Sequence, residues 1–276
     1  MFKKAYLEIT NVCNLSCSFC PGTARAPRFL PPEDFAVLAG RLQGHAQFLY
    51  LHLMGEPLLH PQLPQLLETA RALGFRVIVT TNGTLLPRTG AALLDCPALY
   101  RVNVSLHAHE ANEAMPALPD YIEGCAAFAA SAAARGVRCT LRLWNGSGQQ
   151  AQNAEIVRLL EQRFPAPWPL RGDDRMLCEG VYLQRAERFD WPVQGADDLG
   201  QACFCRGLRD QVGVLCDGTV VPCCLDSEGV LRLGNLFEQT LDEILAGPRA
   251  RASYEGFSRR QAVEPQCRRC AYARRF

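Results

Sequence analysis

Three cysteines lie within eight residues near the start of the chain, in the stretch "NVCNLSCSFC" at 11–20. Thiolates at Cys13, Cys17 and Cys20 suit zinc or an iron–sulfur cluster. A structural zinc site is normally closed by four protein ligands. A cluster held by three cysteines instead leaves one iron free to bind a substrate or cosubstrate. The spacing therefore favours an open iron–sulfur site, with structural zinc as the alternative.

This Cys-x3-Cys-x2-Cys spacing, with Phe19 before the last cysteine, resembles the signature of the radical S-adenosylmethionine (radical SAM) superfamily. The resemblance implies a [4Fe–4S] cluster on the three cysteines, with SAM chelated to its unique iron. One electron then cleaves SAM to methionine and a 5′-deoxyadenosyl radical, which abstracts hydrogen from a substrate. It also implies an external one-electron donor such as flavodoxin or ferredoxin.

Polar residues at the ends of predicted strands extend the resemblance. The turn "MGEP" keeps Gly55, Glu56 and Pro57 of a family turn that contacts the SAM amino group, with Met54 replacing its first glycine. Other positions match family contacts to the SAM ribose or carboxylate, or are barrel-lining polar groups of no special role: Asn103, Ser105 and Arg142.

A second cysteine group lies near the C-terminus, at Cys205, Cys223, Cys267 and Cys270. With "CDGTVVPC" and "GNL" it resembles the SPASM/twitch extension, which implies an auxiliary iron–sulfur cluster. The chain ends six residues after Cys270, which favours the twitch form with one [4Fe–4S] cluster. Four-thiolate zinc would use the same spacing. Three nearby cysteines are alternatives that could replace one ligand or hold a second cluster: Cys203, Cys216 and Cys224.

Catalytic candidates lie in "RGDDRMLCEG". Cys178 could donate hydrogen to a substrate radical, as in radical SAM epimerases, and Asp173 or Asp174 could act as the base in an oxidation. Ordinary loop residues are the alternative for all three.

Repeated strand and helix patterns must position these residues. Strands are predicted at 5–10, 48–53, 75–80, 101–106, 137–143 and 181–186, and helices at 33–43, 63–74, 87–95, 119–135 and 151–163. Such alternation predicts a parallel sheet. In "RVNVSL", Val102 and Val104 face one way and Asn103 and Ser105 the other. One polar face per strand favours a partial (β/α)6 TIM-like barrel with a wet interior over a sheet covered on both faces.

The pattern changes after residue 187. We expect a radical SAM core at 1–187, a linker at 188–200 and a small twitch-like iron–sulfur domain at 201–276, built from a β-hairpin turning at Asp217-Gly218 and a helix near 240–247.

Composition limits the functional classes. No apolar run is long enough to cross a membrane, and the N-terminus lacks a signal-peptide pattern, so a cytoplasmic, oxygen-sensitive protein is expected. Residues 248–276 carry a net charge of +6, against +1 for the whole chain. This is either a solvated helical surface or a basic docking surface.

Three functions remain open. The leading one is radical modification of a peptide or protein, by crosslinking, oxidation or epimerisation. The second is a small-molecule alcohol dehydrogenase that uses the auxiliary cluster as electron acceptor. The early start of the first strand leaves no room for a leader-binding domain, which shifts the expectation towards the second. The third is a non-catalytic, zinc-stapled nucleic-acid-binding module.

Overall fold

Six parallel strands form the centre of the protein in a computed structural model that describes residues 1–193 and 195–275. The six strands are β1 (Phe2–Leu7), β2 (Ala46–Tyr50), β3 (Arg76–Thr81), β4 (Leu99–Ser105), β5 (Arg138–Gly146) and β8 (Val181–Glu187). Each lies within a few residues of the strand predicted from sequence.

The remaining strands extend both edges of this sheet. They are β6 (Leu170–Arg171), β7 (Asp174–Cys178), β9 (Gln211–Val214), β10 (Thr219–Val221) and β11 (Gly234–Asn235). The order within the described residues is β11-β10-β9-β1-β2-β3-β4-β5-β8-β7-β6, with β11 and β6 at separate edges. The barrel is therefore partial, as predicted.

Within the described ranges, five helices connect the parallel strands and two more follow the C-terminal hairpin. They are α1 (Pro32–Leu42), α2 (Leu63–Ala72), α3 (Leu86–Leu94), α4 (Leu118–Ala134), α5 (Asn153–Arg163), α6 (Leu241–Ala246) and α7 (Pro248–Ser258), and a single turn, α8 (Pro265–Arg268), precedes the C-terminus. Prolines at the first turn start most of these helices, where a missing N–H costs nothing. In the described parts of the chain, no helix combines the length and hydrophobicity needed to cross a lipid bilayer.

The core lies between the helices and the outer face of the sheet. Leu7, Ile9, Val102 and Val104 are fully buried there, whereas alternate positions face the barrel interior. Asn103 donates to the Thr80 hydroxyl at 3.1 Å inside the barrel. The polar inner face predicted from alternation is confirmed.

The C-terminal hairpin joins the barrel sheet. Strands β9 and β10 are antiparallel and turn at Asp217-Gly218, where Gly218 has a φ of +82°. Strand β9 pairs in parallel with β1, with Tyr6 opposite Gly213. The hairpin that leads into Cys223 therefore sits beside the first strand.

Residues 170–178 form a hairpin that was not predicted. Strand β7 pairs antiparallel with both β6 and β8. Charged residues interrupt its apolar alternation, so the local pattern did not indicate a strand.

Candidate functional site

The first cysteines lie on a long loop that leaves the carboxyl end of β1. Its two ends are tied together at a neck, where the Thr10 hydroxyl donates to the Arg28 carbonyl at 2.9 Å. The Asn11 amide donates to the Ala26 carbonyl at 2.9 Å and accepts from the Arg28 backbone N–H at 2.7 Å. Loops at this end of parallel strands carry the active sites of α/β folds.

Two asparagines from neighbouring strand ends hold the cysteines. The Asn112 amide donates to the Cys17 sulfur at 3.1 Å, and its oxygen accepts from the Ser16 N–H at 2.9 Å. Asn82, just after β3, lies with its amide nitrogen 4.0 Å from the Cys13 sulfur. Sequence analysis missed both, because their partners are about 70 and 95 residues away. Such N–H donors stabilise the thiolates of an iron–sulfur site.

The cysteine arrangement fits a multi-iron cluster. Burial raises the pKa of Cys13, Cys17 and Cys20, so bound iron would have to stabilise their thiolates. Three thiols with amide N–H donors beside two of them are a ligand set that an iron–sulfur cluster takes.

Glu8 is a buried hub that joins four parts of the site. Its carboxylate receives two hydrogen bonds from the Arg25 guanidinium, both at 2.8 Å. It also accepts from the Met54 N–H at 3.1 Å and from the Cys216 N–H at 3.3 Å. Arg25 donates in turn to the Ser227 carbonyl at 2.8 Å. One carboxylate therefore connects β1, the cysteine loop, the "MGEP" turn and the C-terminal hairpin.

The "MGEP" turn packs against the base of the cysteine loop. Gly55 has a φ of +75°, and a Cβ there would overlap the Thr10 carbonyl oxygen, so only glycine fits. The Glu56 carboxylate accepts from the Leu58 N–H at 3.1 Å and the Asn82 N–H at 2.7 Å. Burial raises the pKa of Glu56 to about 7.

A cavity of about 270 Å³ opens inside the barrel beside this loop. Its lining combines cationic, aromatic and small polar side chains from six strands, the loops that follow them, the 188–191 segment and the C-terminal segment. The lining residues include Lys4, Tyr6, Tyr50, His52, Arg142, Cys224 and Leu225.

Several SAM-site candidates face this cavity. Phe19, Ser105 and Arg142 line it. The Arg142 guanidinium lies 4.3 Å from the Trp144 ring, and its Nε is buried with no hydrogen-bond partner. The Oδ1 of Asn103 is likewise buried and unpaired. Unsatisfied buried polar atoms of this kind fit a polar ligand.

The three catalytic candidates do not line the cavity. Cys178 packs against the core on β7, with its thiol 3.7 Å from the Glu179 carbonyl. Asp173 is exposed at the β6–β7 turn. Asp174 is linked to the cavity only through other side chains. It accepts a hydrogen bond from Gln184 at 3.3 Å, and Gln184 accepts one at 3.1 Å from the indole of Trp144, which lines the cavity.

Residues of the expected linker form one wall of the cavity. Phe189 stacks on Trp191 and Tyr272, with ring centroids 5.8 and 5.1 Å apart. The Arg275 guanidinium lies over Phe189 and Tyr272 and donates to the carbonyls of Glu187 and Arg188. The aromatic residues Phe189 and Trp191 were the sequence signal that the 188–200 stretch is more than a linker.

Two histidines with no assigned role also line the cavity. The Nδ1 atom of His52 is buried and has no hydrogen-bond partner among the described residues. Burial lowers the pKa of His52 to about 3. His107 stacks on Phe19 at 5.0 Å, and burial lowers its pKa to about 4. Both imidazoles are therefore neutral at physiological pH.

The second cysteine group converges on a separate small cavity. Cys205, Cys223, Cys267 and Cys270 all line it, and the other lining residues are mostly apolar. Burial is the largest cause that raises the pKa of each thiol, and three of them are also raised by neighbouring thiols of the group. The four predicted ligands are thus brought together.

The three alternative cysteines lie in different surroundings. Cys203 packs beside the second group in an apolar cluster. The Cys216 thiol donates to the Glu8 carbonyl at 3.2 Å. Cys224 lines the barrel cavity, within hydrogen-bonding reach of the Tyr6 hydroxyl. These positions do not bring the three together around one cluster.

Most of the C-terminal arginines are used within the chain. Arg249 pairs with Glu264 at 2.7 Å, Arg259 pairs with Glu255 at 3.7 Å, and Arg274 donates to the Ala202 carbonyl. The high positive charge of 248–276 therefore has a structural use in holding the C-terminal segment.

Family models match most of the chain. The model of the radical SAM superfamily matches residues 7–160, and a model described as an iron-sulfur cluster-binding domain, SPASM, matches residues 203–271.

Curated relatives match a shorter part. A "Probable GTP 3',8-cyclase" of Methanothermobacter marburgensis is 36% identical over 103 residues, which cover 36% of this chain and 33% of that protein. The "Fe-coproporphyrin III synthase" of Methanosarcina barkeri is 35% identical over 102 residues, covering 36% and 26%. The matched part thus spans a third or less of each relative.

Solved structures share the fold over almost the whole chain. BtrN in complex with AdoMet and 2-DOIA has a TM-score of 0.65 at 16% identity, covering 98% of this chain and 93% of that one. Streptococcus suis SuiB bound to precursor peptide SuiA has a TM-score of 0.66 at 15% identity, covering 98% and 70%. anSMEcpe with AdoMet and Kp18Cys peptide has a TM-score of 0.64 at 15% identity, covering 98% and 86%.

Proposed function

This chain belongs to the radical SAM superfamily, and we propose that it oxidises a small molecule bound in the barrel cavity. It is an enzyme whose cofactors are SAM, a SAM-binding [4Fe–4S] cluster and an auxiliary iron–sulfur cluster. When bound, SAM and the first cluster supply a 5′-deoxyadenosyl radical that takes a hydrogen atom from a substrate carbon.

The cofactor ligands we propose follow the cysteine and strand-end motifs. We propose that Cys13, Cys17 and Cys20 hold the first cluster, with N–H donors from Asn82 and Asn112 beside two of them. For SAM we propose Phe19, Ser105 and Arg142, which line the barrel cavity, together with Asn103 and the Gly55–Glu56–Pro57 turn, which do not line it. Cys205, Cys223, Cys267 and Cys270 hold the auxiliary cluster.

The observation that best supports this proposal is that one residue separates the two cavities. Leu225 lines both the barrel cavity and the cavity of the second cysteine group. Its neighbours Cys224 and Cys223 line one each. A cluster at the second site would supply a one-electron acceptor one side chain away from the substrate. Loss of a hydrogen atom, an electron and a proton converts an alcohol carbon to a carbonyl.

The proton also needs an acceptor. Burial lowers the pKa of His52 to about 3, so this cavity imidazole is too weak a base for the role. We therefore propose that the proton passes to solvent through the open side of the cavity, and not to Asp173 or Asp174, which do not line it. Cys178 has no place in this reaction.

A peptide or protein substrate is the second candidate. SuiB and anSMEcpe, which share this fold, have been solved with peptides. The cavity of about 270 Å³, with the aromatic wall of Phe189, Trp191 and Tyr272, favours a small molecule or one inserted side chain over a long peptide. The names of the GTP cyclase and coproporphyrin synthase relatives indicate that those proteins act on small molecules.

The test uses anaerobically reconstituted protein, reduced by dithionite or by flavodoxin, with SAM and cell extract split by size. The proposal expects the small-metabolite fraction to stimulate 5′-deoxyadenosine formation. It also expects a product two hydrogens lighter than its precursor by mass spectrometry. Stimulation by the peptide-and-protein fraction alone would overturn the small-molecule assignment in favour of the second candidate.

A further inference from the structure

Lys4 lies inside the barrel, far from the first cysteine group. It belongs to the inward-facing series of β1 with Tyr6 and Glu8, and it pairs in register with Phe48 of β2. Glu8, four residues on, lies at the end where the cysteine loop begins. At about 3.3 Å per residue, Lys4 is about 13 Å farther along the strand. It therefore forms the floor of the cavity.

No carboxylate lines the barrel cavity with Lys4 in the described part of the chain. The ammonium lies over the rings of Tyr6 and Tyr50, at 5.3 and 5.6 Å from their centroids. Lys4 also lines a neighbouring pocket with Asp210, whose charge raises the pKa of Lys4 by less than burial lowers it. Asp210 itself pairs with Arg206 at 2.7 Å and with Lys3 at 3.8 Å.

Such a cation is costly without a counter-charge. Burial lowers the pKa of Lys4, which reports the cost of keeping its charge in the cavity. Aromatic faces compensate only part of that cost. A half-buried charge inside a cavity is stabilised by a counter-charge, which an anionic group of the ligand would supply.

Two other cations line the cavity in the described residues, and each has a different place. Arg188 pairs with Asp190 at 3.7 Å. Arg142 lies level with Ser105 on the neighbouring strand, nearer the end of the barrel that carries the cysteine loop. That position suits the carboxylate of SAM. Lys4, at the opposite end, is left for the substrate.

We propose that the substrate carries a carboxylate or phosphate group, which Lys4 binds at the floor of the barrel cavity. This inference rests on the proposed function, because it assigns the substrate class of the same site. It places the anion away from the first cysteine group and the reacting carbon between the two.

The first test separates the stimulating metabolite fraction on an anion exchanger at neutral pH. Stimulation of 5′-deoxyadenosine formation is expected in the fraction that the resin retains and salt releases. Phosphatase treatment then separates the two sources, since loss of stimulation indicates a phosphate and retention a carboxylate. Stimulation found only in the unretained fraction would overturn the inference while leaving the oxidation intact.

Variants of the two lysines give a matched comparison. With the retained fraction, Lys4→Met should raise the apparent KM at least about tenfold, because a charged hydrogen bond is lost. Lys3→Met should leave it unchanged, since the Lys3 side chain is 75% exposed. Lys4→Arg should recover most of the affinity. A different result would refute the inference. If Lys4→Arg has a normal KM but loses as much kcat as Lys4→Met does, Lys4 acts as a base and not as an anion-binding group.

A binding test does not depend on turnover. Inorganic phosphate is compared with chloride at equal ionic strength, and the melting temperature of the cluster-loaded protein is recorded. Phosphate should raise it by about 3–6 °C in wild type and Lys3→Met but not in Lys4→Met. An equal rise in all three proteins, or none in any, would contradict an anion site at Lys4.

Discussion

Replacing Glu8 by Gln should destabilise the whole site, because this carboxylate joins its four parts. The Glu8 side chain is fully buried, and the Arg25 side chain that pairs with it at 2.8 Å is 17% exposed. Removing one partner of a buried ion pair leaves the other charge uncompensated, which typically costs about 3–5 kcal/mol. For a chain of this size, 1 kcal/mol corresponds to about 2–4 °C in melting temperature. We therefore expect Glu8→Gln to melt at least about 6 °C below wild type.

The assay is anaerobic thermal unfolding of reconstituted protein, with Glu68→Gln as the matched control. Glu68 also pairs with an arginine, at 2.6 Å, but that pair is on the surface, where such pairs contribute little. Adding Arg25→Met to Glu8→Gln should cost little more, since the uncompensated charge is removed. If Glu8→Gln lowers the melting temperature no more than Glu68→Gln does, the reasoning about this hub is wrong.

Three further predictions follow from the site. Gly55→Ala should weaken SAM binding at least about tenfold in equilibrium dialysis, because a Cβ overlaps the cysteine loop, whereas Gly40→Ala, with open space around it, should not. Cys267→Ala should lose about four irons per chain in an iron assay and keep SAM cleavage, while Cys96→Ala keeps all its iron. Burial raises the pKa of Glu56 to about 7, so the folded state holds a proton that the unfolded chain releases above pH about 4.5. This carboxyl should therefore lower stability as pH rises from about 4.5 to 7, and Glu56→Gln should reduce the fall in melting temperature between pH 5 and pH 8, measured without SAM.

Local patterns were sufficient for the barrel. Alternation in "RVNVSL" separated core-facing Val102 and Val104 from inward-facing Asn103 and Ser105, and the structure places them so. Asp217-Gly218 predicted the C-terminal hairpin because few residue pairs suit such a turn. These features depend on neighbours in sequence, which is why they could be inferred without coordinates.

Long-range contacts were beyond the sequence. Asn82 and Asn112 contact the cysteine loop only because the strand ends meet in the fold. The adjacent residues Cys223 and Cys224 look equivalent in sequence, yet they line different cavities. Lys4 is unremarkable until β1 is seen to place it on the floor of a cavity without carboxylates.

We propose that the first three cysteines hold the cluster that cleaves SAM. The direct measurement is 5′-deoxyadenosine formed from SAM by anaerobically reconstituted, reduced protein, compared with Cys17→Ala and with Cys96→Ala as a control for cysteine loss. We expect formation by wild type and Cys96→Ala and none by Cys17→Ala. Formation by Cys17→Ala at the wild-type rate, or none by wild type, would contradict the account.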